Sequence, residues 1–382
     1  MSLGLYIHWP FCLSLCPYCD FNAHTRDKIN NNRWKRALLT DISYWSTKTK
    51  GREITSIYFG GGTPSLMNAE TVFVLLQTIM KLWKTSPYLE ISMEANPTSI
   101  EMEKFQLLRD AGINRVSIGI QALRDNALEF LGRKHDQKQG LEAISLAAKV
   151  FPTFSFDLIY SRPEQTIKDW SLELTEALKI GSKHVSLYQL TIEKGTPFYS
   201  SFKKGSFQIP NEKKAAKQFE ITQEICEAHN VPAYEISNHA KTGAICVHNL
   251  NYWNGGDYIG VGPGAHGRLT TEEGSIIATE QIPLPENWIN EVEKNGHAIR
   301  KYKRLNPQIR REELIMLGLR LSDGIKRDLF YSVAGVKLEE FINPHRLNHL
   351  KKGGFLILDK NGLRTTPQGR LRLNAVLAAL LA

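Results

Sequence analysis

Over the first 230 residues, short runs rich in β-branched and aromatic side chains alternate with longer helical stretches. The runs are Leu3–His8, Ile54–Phe59, Leu89–Glu94, Arg115–Ile120, Phe154–Ile159 and His184–Leu190, and helical segments such as Asn68–Leu82, Ser99–Asp110 and Gln165–Lys179 come after them. Asn68 and Thr166 sit where helix caps are needed. Repeated strand-then-helix units join through right-handed crossovers into a parallel sheet. Six units are too few for a closed eight-stranded barrel. The expectation is therefore an α/β fold, a partial, open (β/α)6 barrel with its site at the C-terminal strand ends. A doubly wound sheet is the alternative, but no GxGxxG turn opens a helix after the first strand.

Directly after that strand the chain carries a group of cysteines. Three of its five, Cys12, Cys16 and Cys19, fall in one Pro-containing loop with the spacing C-x3-C-x2-C. An odd, clustered set in a chain whose start lacks a secretory signal argues for metal rather than disulfides. Three thiolates on one loop can hold three irons of a cubane and leave the fourth open. Zinc is the competitor, but a structural zinc wants four protein ligands and no second knuckle is present. Cys226 and Cys246 stand alone and read as small buried hydrophobes.

The expected organisation is a barrel over residues 1–230, an extension of irregular strands and Gly-rich loops over 231–295, and a separate module over 296–382. In that module, helices near Pro307–Leu321 and Leu338–Lys352 precede a hairpin, Phe355–Asp359 and Leu363–Thr366, turned at Asn361-Gly362. Helix, helix, hairpin, helix resembles a small winged-helix α+β domain. Residues 301–382 hold 16 Lys and Arg against 7 Asp and Glu. That net of +9 equals the charge of the whole chain, so the first 300 residues are neutral. Such an asymmetry suits an acidic partner or anionic lipid, or is simply a solvated basic surface. Nothing in it forms an aromatic-basic pattern for nucleic acid, and no nucleic-acid partner is expected. No apolar run reaches the roughly 20 residues needed to span a bilayer, and the expected location is the cytoplasm, with peripheral contact at the inner membrane face.

The cysteine spacing after the first strand resembles the radical S-adenosylmethionine (SAM) superfamily. There a 4Fe-4S cluster cleaves SAM to a 5′-deoxyadenosyl radical, and SAM chelates the open iron. The resemblance implies a SAM site made by Tyr6, by Gly61, Gly62 and Thr63 in the GGGTP segment, and by Glu94, Gln121, Arg133 and Asp157. Taken singly, these are ordinary strand-end polar residues; their shared position at C-terminal strand ends sets them apart.

The segments YIHWPFC, FGGGTPS, EANP and RVSIGIQ together look like the oxygen-independent coproporphyrinogen III oxidase group, from residue 3 to the end. The oxidases carry a fourth cysteine two positions after the third, where this chain has Phe21. A second segment, His248-Asn-Leu-Asn-Tyr252-Trp253, resembles the HNxxYW motif of the haem chaperone branch, HemW. An imidazole is a common axial ligand of haem iron, and Tyr and Trp offer flat surface to a macrocycle. On local physics alone, this reading stands level with a structural aromatic corner that holds His248 inside it; the resemblance tips it to haem. The implied function is a haem chaperone that delivers haem cargo to acceptors, plausibly membrane cytochromes. The alternative is the decarboxylating oxidase, which leaves open whether the chain is an enzyme. Family analogy also admits a homodimer. One departure stands out: relatives often have glycine where this chain has Ser161.

Overall fold

A computed structural model describes residues 2–26 and 28–382. All six expected strands form: β1 (Ser2–Trp9), β2 (Glu53–Gly61), β3 (Lys84–Ala95), β4 (Arg115–Gln121), β5 (Thr153–Tyr160) and β6 (His184–Gln189). They pair in parallel in chain order. The expected extension over 231–295 adds strands to both edges of this sheet, and the first strand of the module expected over 296–382 joins it as well. At one edge, β7 (Asn238–Ala240) runs antiparallel to β6. At the other, β8 (Tyr258–Val261) lies parallel to β1, and β9 (His266–Thr270), β10 (Ile276–Gln281) and β11 (Ile299–Arg304) continue antiparallel. The eleven strands run in the order β11-β10-β9-β8-β1-β2-β3-β4-β5-β6-β7, open at both ends.

Alternation along the strands decides which face is which, because successive side chains point to opposite sides. Leu3, Leu5, Ile7, Ile57, Phe59, Val116, Ile118, Phe156, Leu158, Val185 and Leu187 face outward and are buried. They pack under helices α1 (Asn31–Lys48), α2 (Ala69–Leu82), α3 (Gln137–Val150) and α4 (Ile167–Lys179), which contribute Leu38, Ile42, Leu75, Ile79, Ile144, Trp170 and Leu174. The other face is polar: Tyr58, Ser92, Glu94, Ser117, Gln121, Ser155, Asp157, Ser186 and Tyr188 line an interior cavity. The apolar core thus lies between sheet and helices, and the lumen is left for polar ligands. Asn68 caps α2 by accepting from Glu70 N, and Thr166 and Asp169 form a capping box on α4.

A second apolar cluster, including Leu314, Ile315, Phe330, Leu347, Leu350, Leu363 and Val376, forms the C-terminal module. The short helix α5 (Val247–Trp253) lies between the sheet and this module. Within the module, α6 (Pro307–Gly318), α7 (Arg327–Ala334) and α8 (Pro344–Lys352) pack with a three-stranded sheet of Ile325–Lys326, Gly362–Thr365 and Leu356–Asp359. The single helix expected over 338–352 is broken at Ile342-Asn343. A residue before proline is pushed out of the helical region, and Asn343 caps α8 instead by accepting from His345 N and Arg346 N.

Candidate cofactor cavity

The lumen holds a cavity of about 590 Å3, and Cys12, Cys16 and Cys19 line its mouth. The cysteine loop leaves β1 through Pro10. It is closed at its base by a short parallel ladder between Phe11–Cys12 and His24–Thr25. His8 Nε2 donates to Asn22 O at 2.9 Å, and Asn22 Nδ2 donates to Pro263 O and Pro283 O. The loop is thereby tied to strand β1 and to the extension. All three thiols are half-buried and free of disulfides. Thr63 Oγ1 donates to Cys12 Sγ at 3.3 Å and Arg133 Nη1 donates to Cys16 Sγ at 3.4 Å. Burial pushes the Cys12 thiol up to about 11 and raises Cys19 as well. A bound cation reverses that order and deprotonates the thiols outright. Three sulfurs, a hydroxyl donor and a guanidinium on one cavity wall fit a thiolate-held cluster with an open position. No compact group of His, Cys, Asp and Glu gathered around a single ion occurs among the described residues.

The glycines of GGGTP lie where a side chain would collide with neighbouring segments of the chain. Gly61, at φ +114°, would bring a Cβ to 2.5 Å from the His8 ring, and a Cβ on Gly62 would meet Phe11 O at 2.8 Å. Their bareness lets β2 pass against the cysteine loop. Both also line the cavity, with Thr63.

Glu94 accepts from Tyr58 OH at 3.0 Å and from Gly61 N at 3.1 Å. Burial, with Asp157 nearby, pushes its carboxyl up to about 7. Asp157 accepts from Ser117 Oγ at 3.2 Å, and burial lifts it to about 6. Gln121 ends β4 at a register shift with φ +70°, a costly conformation for a non-glycine residue. Its Oε1 has no partner, and neither does Arg133 Nε, while Arg133 Nη2 donates to Asn96 Oδ1 and to Gly119 O. Unpaired buried polar atoms on a cavity wall mark where a polar ligand completes the bonding.

Tyr6 stands one layer back. Its hydroxyl is 3.0 Å from His8 Nδ1 and its ring stacks on Tyr58 at 6.3 Å. It packs against Tyr58, which lines the cavity.

The HNxxYW residues sit on α5, whose N-terminal amides of Val247 and His248 donate to the Glu90 carboxylate. His248 is 1% exposed. Its Nδ1 faces Ser56 Oγ at 2.9 Å, its Nε2 faces Tyr252 OH at 2.7 Å, and its ring stacks on Tyr58. Trp253 is covered by the Arg320 guanidinium, 4.6 Å from the ring centre. His248 is thus enclosed with both nitrogens bonded, as in an aromatic corner, while Tyr252 and Trp253 are half-buried and Trp253 Nε1 has no partner. The segment's contributions to the cavity wall are Cys246 and Asn249.

Several wall residues escaped the sequence reading: Tyr58, Ser92, Asn96, Arg115 and His184. The signal was available, since the strands alternate polar and aliphatic residues and both faces are enclosed. Ser161 occupies φ +56°, a conformation that glycine adopts without strain, and its hydroxyl donates to Gln218 Oε1 at 2.7 Å.

The sequence matches the Radical SAM superfamily over residues 6–173 and the HemN C-terminal domain over residues 305–372. It is 35% identical to the mitochondrial radical S-adenosyl methionine domain-containing protein 1 of Danio rerio, covering 100% of this chain and 87% of that one. It is 34% identical to the heme chaperone HemW of Escherichia coli K12, over 100% and 98%, and 33% identical to that of Bacillus subtilis, over 98% of each. Among solved structures, the coproporphyrinogen III oxidase HemN of Escherichia coli superposes with a TM-score of 0.83 at 19% identity, covering 99% of this chain and 89% of that one.

Proposed function

Because the chain belongs to the radical SAM superfamily and, within it, to the family of the haem chaperone HemW, we propose that it binds haem, a 4Fe-4S cluster and SAM and delivers haem to acceptor proteins such as respiratory cytochromes. The observation that carries this reading is the whole-length match at 33–34% identity to HemW proteins of several bacteria. Likeness to HemN speaks for the fold alone, and Phe21 stands where the oxidases have their fourth cysteine.

Cys12, Cys16 and Cys19 hold the cluster, and Gly61, Gly62, Thr63, Glu94, Gln121, Arg133 and Asp157 bind SAM, with Tyr6 bracing Tyr58 behind them. The bound pair supplies one-electron chemistry. Arg133 and Thr63 donate hydrogen bonds to the sulfurs that a bound cluster would hold as thiolates, and Glu94 and Asp157 offer acceptors to hydroxyl or amino groups. His248, Tyr252 and Trp253 serve the haem function from behind the wall, by holding Cys246 and Asn249 on its inner face. The basic C-terminal module favours anionic membrane surfaces where acceptors reside; each Lys or Arg there is worth about 1 kcal/mol. No helix among the described residues is long and apolar enough to cross a membrane.

An anaerobic haem titration of the reconstituted full chain, monitored in the Soret region, tests the reading. Tight, stoichiometric binding and transfer to an apo-cytochrome are expected. Absence of specific binding overturns the chaperone and redirects attention to decarboxylation of coproporphyrinogen III. Co-sedimentation of the full chain with anionic but not zwitterionic vesicles tests the membrane contact.

A further inference from the structure

Three arginines of the described chain are fully buried: Arg115, Arg162 and Arg310. Arg162 pairs with Glu173, and Arg310 pairs with Glu313. Arg115, 3% exposed, forms none of the ion pairs found among the described residues; its only hydrogen bond there is a long one, 3.4 Å, from Nη1 to Ala244 O. A buried cation without a counter-charge is expensive and is ordinarily paired.

Arg115 starts β4, beside Ser92 on β3, and so lies at the end of the lumen opposite the cysteine loop. None of the nearby carboxylates among the described residues forms an ion pair with Arg115, although Glu235 Oε2 has no hydrogen bond and lies 3.9 Å from Arg320, and the Asp157 carboxyl, raised by burial, is lowered in part by the charge of Arg115. Glu90 accepts from the α5 amides, Glu235 accepts from Ser237 N and Asn238 Nδ2, and Asp157 accepts from Ser117. Among the unmatched polar atoms near Arg115, one is an acceptor, Asn238 Oδ1 on the cavity wall, and two others can donate. Ser92 Oγ, buried on the cavity wall, has no partner. His184 Nδ1, also buried there, has none either, while His184 Nε2 is 3.1 Å from Tyr234 OH. With the tyrosine donating to Nε2, the imidazole carries its proton on Nδ1 and becomes a second free donor. A guanidinium, a hydroxyl and an imidazole N–H on one cavity floor all lack an acceptor.

We propose that this floor is an anion subsite, centred on Arg115 with Ser92 and His184, that binds the carboxylate of a second ligand entering the lumen beside SAM. A planar guanidinium with flanking donors matches a carboxylate in both charge and geometry. Two sources share that chemistry: a porphyrin propionate and a small organic acid. The subsite stands on the geometry of the cavity itself; only the porphyrin arm of its test rests on the haem reading above.

The test uses the full chain as wild type, Arg115→Met and Ser92→Ala, with folding checked by circular dichroism. Protoporphyrin IX and its dimethyl ester are titrated by tryptophan quenching. Sodium acetate is compared with sodium chloride at equal ionic strength by thermal shift. A propionate at the floor makes the diacid bind wild type at least about tenfold more tightly than the ester, a ratio that falls to near one in Arg115→Met. A small acid at the floor makes acetate, not chloride, raise the melting temperature of wild type and leave Arg115→Met unmoved, whether or not any porphyrin binds. If Arg115→Met fails to fold, Ser92→Ala carries both comparisons with a smaller loss. Chloride acting as strongly as acetate with the ester binding as tightly as the diacid, or no dependence on Arg115 or Ser92 in either arm, overturns the proposal.

Discussion

His248 Nε2 lies 2.7 Å from the Tyr252 hydroxyl one helical turn away, and both side chains belong to the segment that most resembles a haem motif. Ser56 Oγ holds the other nitrogen at 2.9 Å. Burial drives the imidazole down to about 3, so it is neutral and donates through one nitrogen while accepting through the other. His248→Ala removes two buried hydrogen bonds and leaves a void under Tyr58. A loss of about 2–4 kcal/mol in urea unfolding is expected. Any change in the haem spectrum of this variant should track that loss of stability. An altered axial-ligand signature in electron paramagnetic resonance, with stability intact, would show the imidazole to be a ligand after all.

Glu173 is the anchor of a second buried network. Its carboxylate takes Leu123 N at 2.7 Å, Gln165 Nε2 at 3.2 Å and both terminal nitrogens of Arg162. Glu173→Ala strands the Arg162 guanidinium in the interior, and a cost of about 3–5 kcal/mol is expected. Replacing both residues by apolar ones should recover much of it. Chemical denaturation of the two single variants and the double variant measures this directly.

Ser161 combines an unfavourable backbone with a favourable side-chain bond. Ser161→Ala keeps the positive φ and loses the bond to Gln218, for a cost of about 1–2 kcal/mol. Ser161→Gly loses the same bond but relieves the backbone, and should be more stable than the alanine variant by about 1 kcal/mol. Equal stability of the two would remove the strain argument.

Asp41 is buried between α1 and the extension, accepting from Gly262 N at 3.2 Å and from Gln281 Nε2. Burial lifts its carboxyl to about 7, above the unfolded value of about 4. The folded state therefore holds the proton more tightly. The stability this adds is complete below about pH 4 and is lost as the pH rises through about 7. Melting temperatures of wild type should fall from pH 5 to pH 8 relative to Asp41→Asn, which has no proton to lose. Parallel curves for the two proteins would contradict the assignment.

Cys16 differs from Cys12 and Cys19 in facing Arg133. Cys16→Ser in the reconstituted chain should lose the broad visible absorption of the cluster and, with it, SAM affinity. Arg133→Met should keep the cluster but weaken SAM binding by about tenfold or more. Equilibrium dialysis with SAM, run beside iron and sulfide analysis, separates the two effects.

The six strands, the helix caps at Asn68 and Thr166 and the cysteine loop were legible in sequence because each is a local pattern. Alternation, a capping residue and a short ligand spacing all act within a few residues of chain. The Asn-Gly turn of the C-terminal hairpin belongs with them. The broken helix at Asn343 was legible in principle, since Pro344 carries the signal.

Tertiary structure alone decided where those patterns meet. His248 and Ser56 are 192 positions apart, and only the passage of the chain from β7 through α5 to β8, which pairs with β1, brings α5 against β2. An HNxxYW segment reads the same whether its imidazole is offered to a ligand or closed between a serine and a tyrosine. The choice depends on which strand lies beneath it. In the same way, nothing local marks Arg115 as the buried arginine outside the ion pairs found among the described residues. Pairing is a property of the space around a side chain, and that space is assembled from strands far apart in the chain.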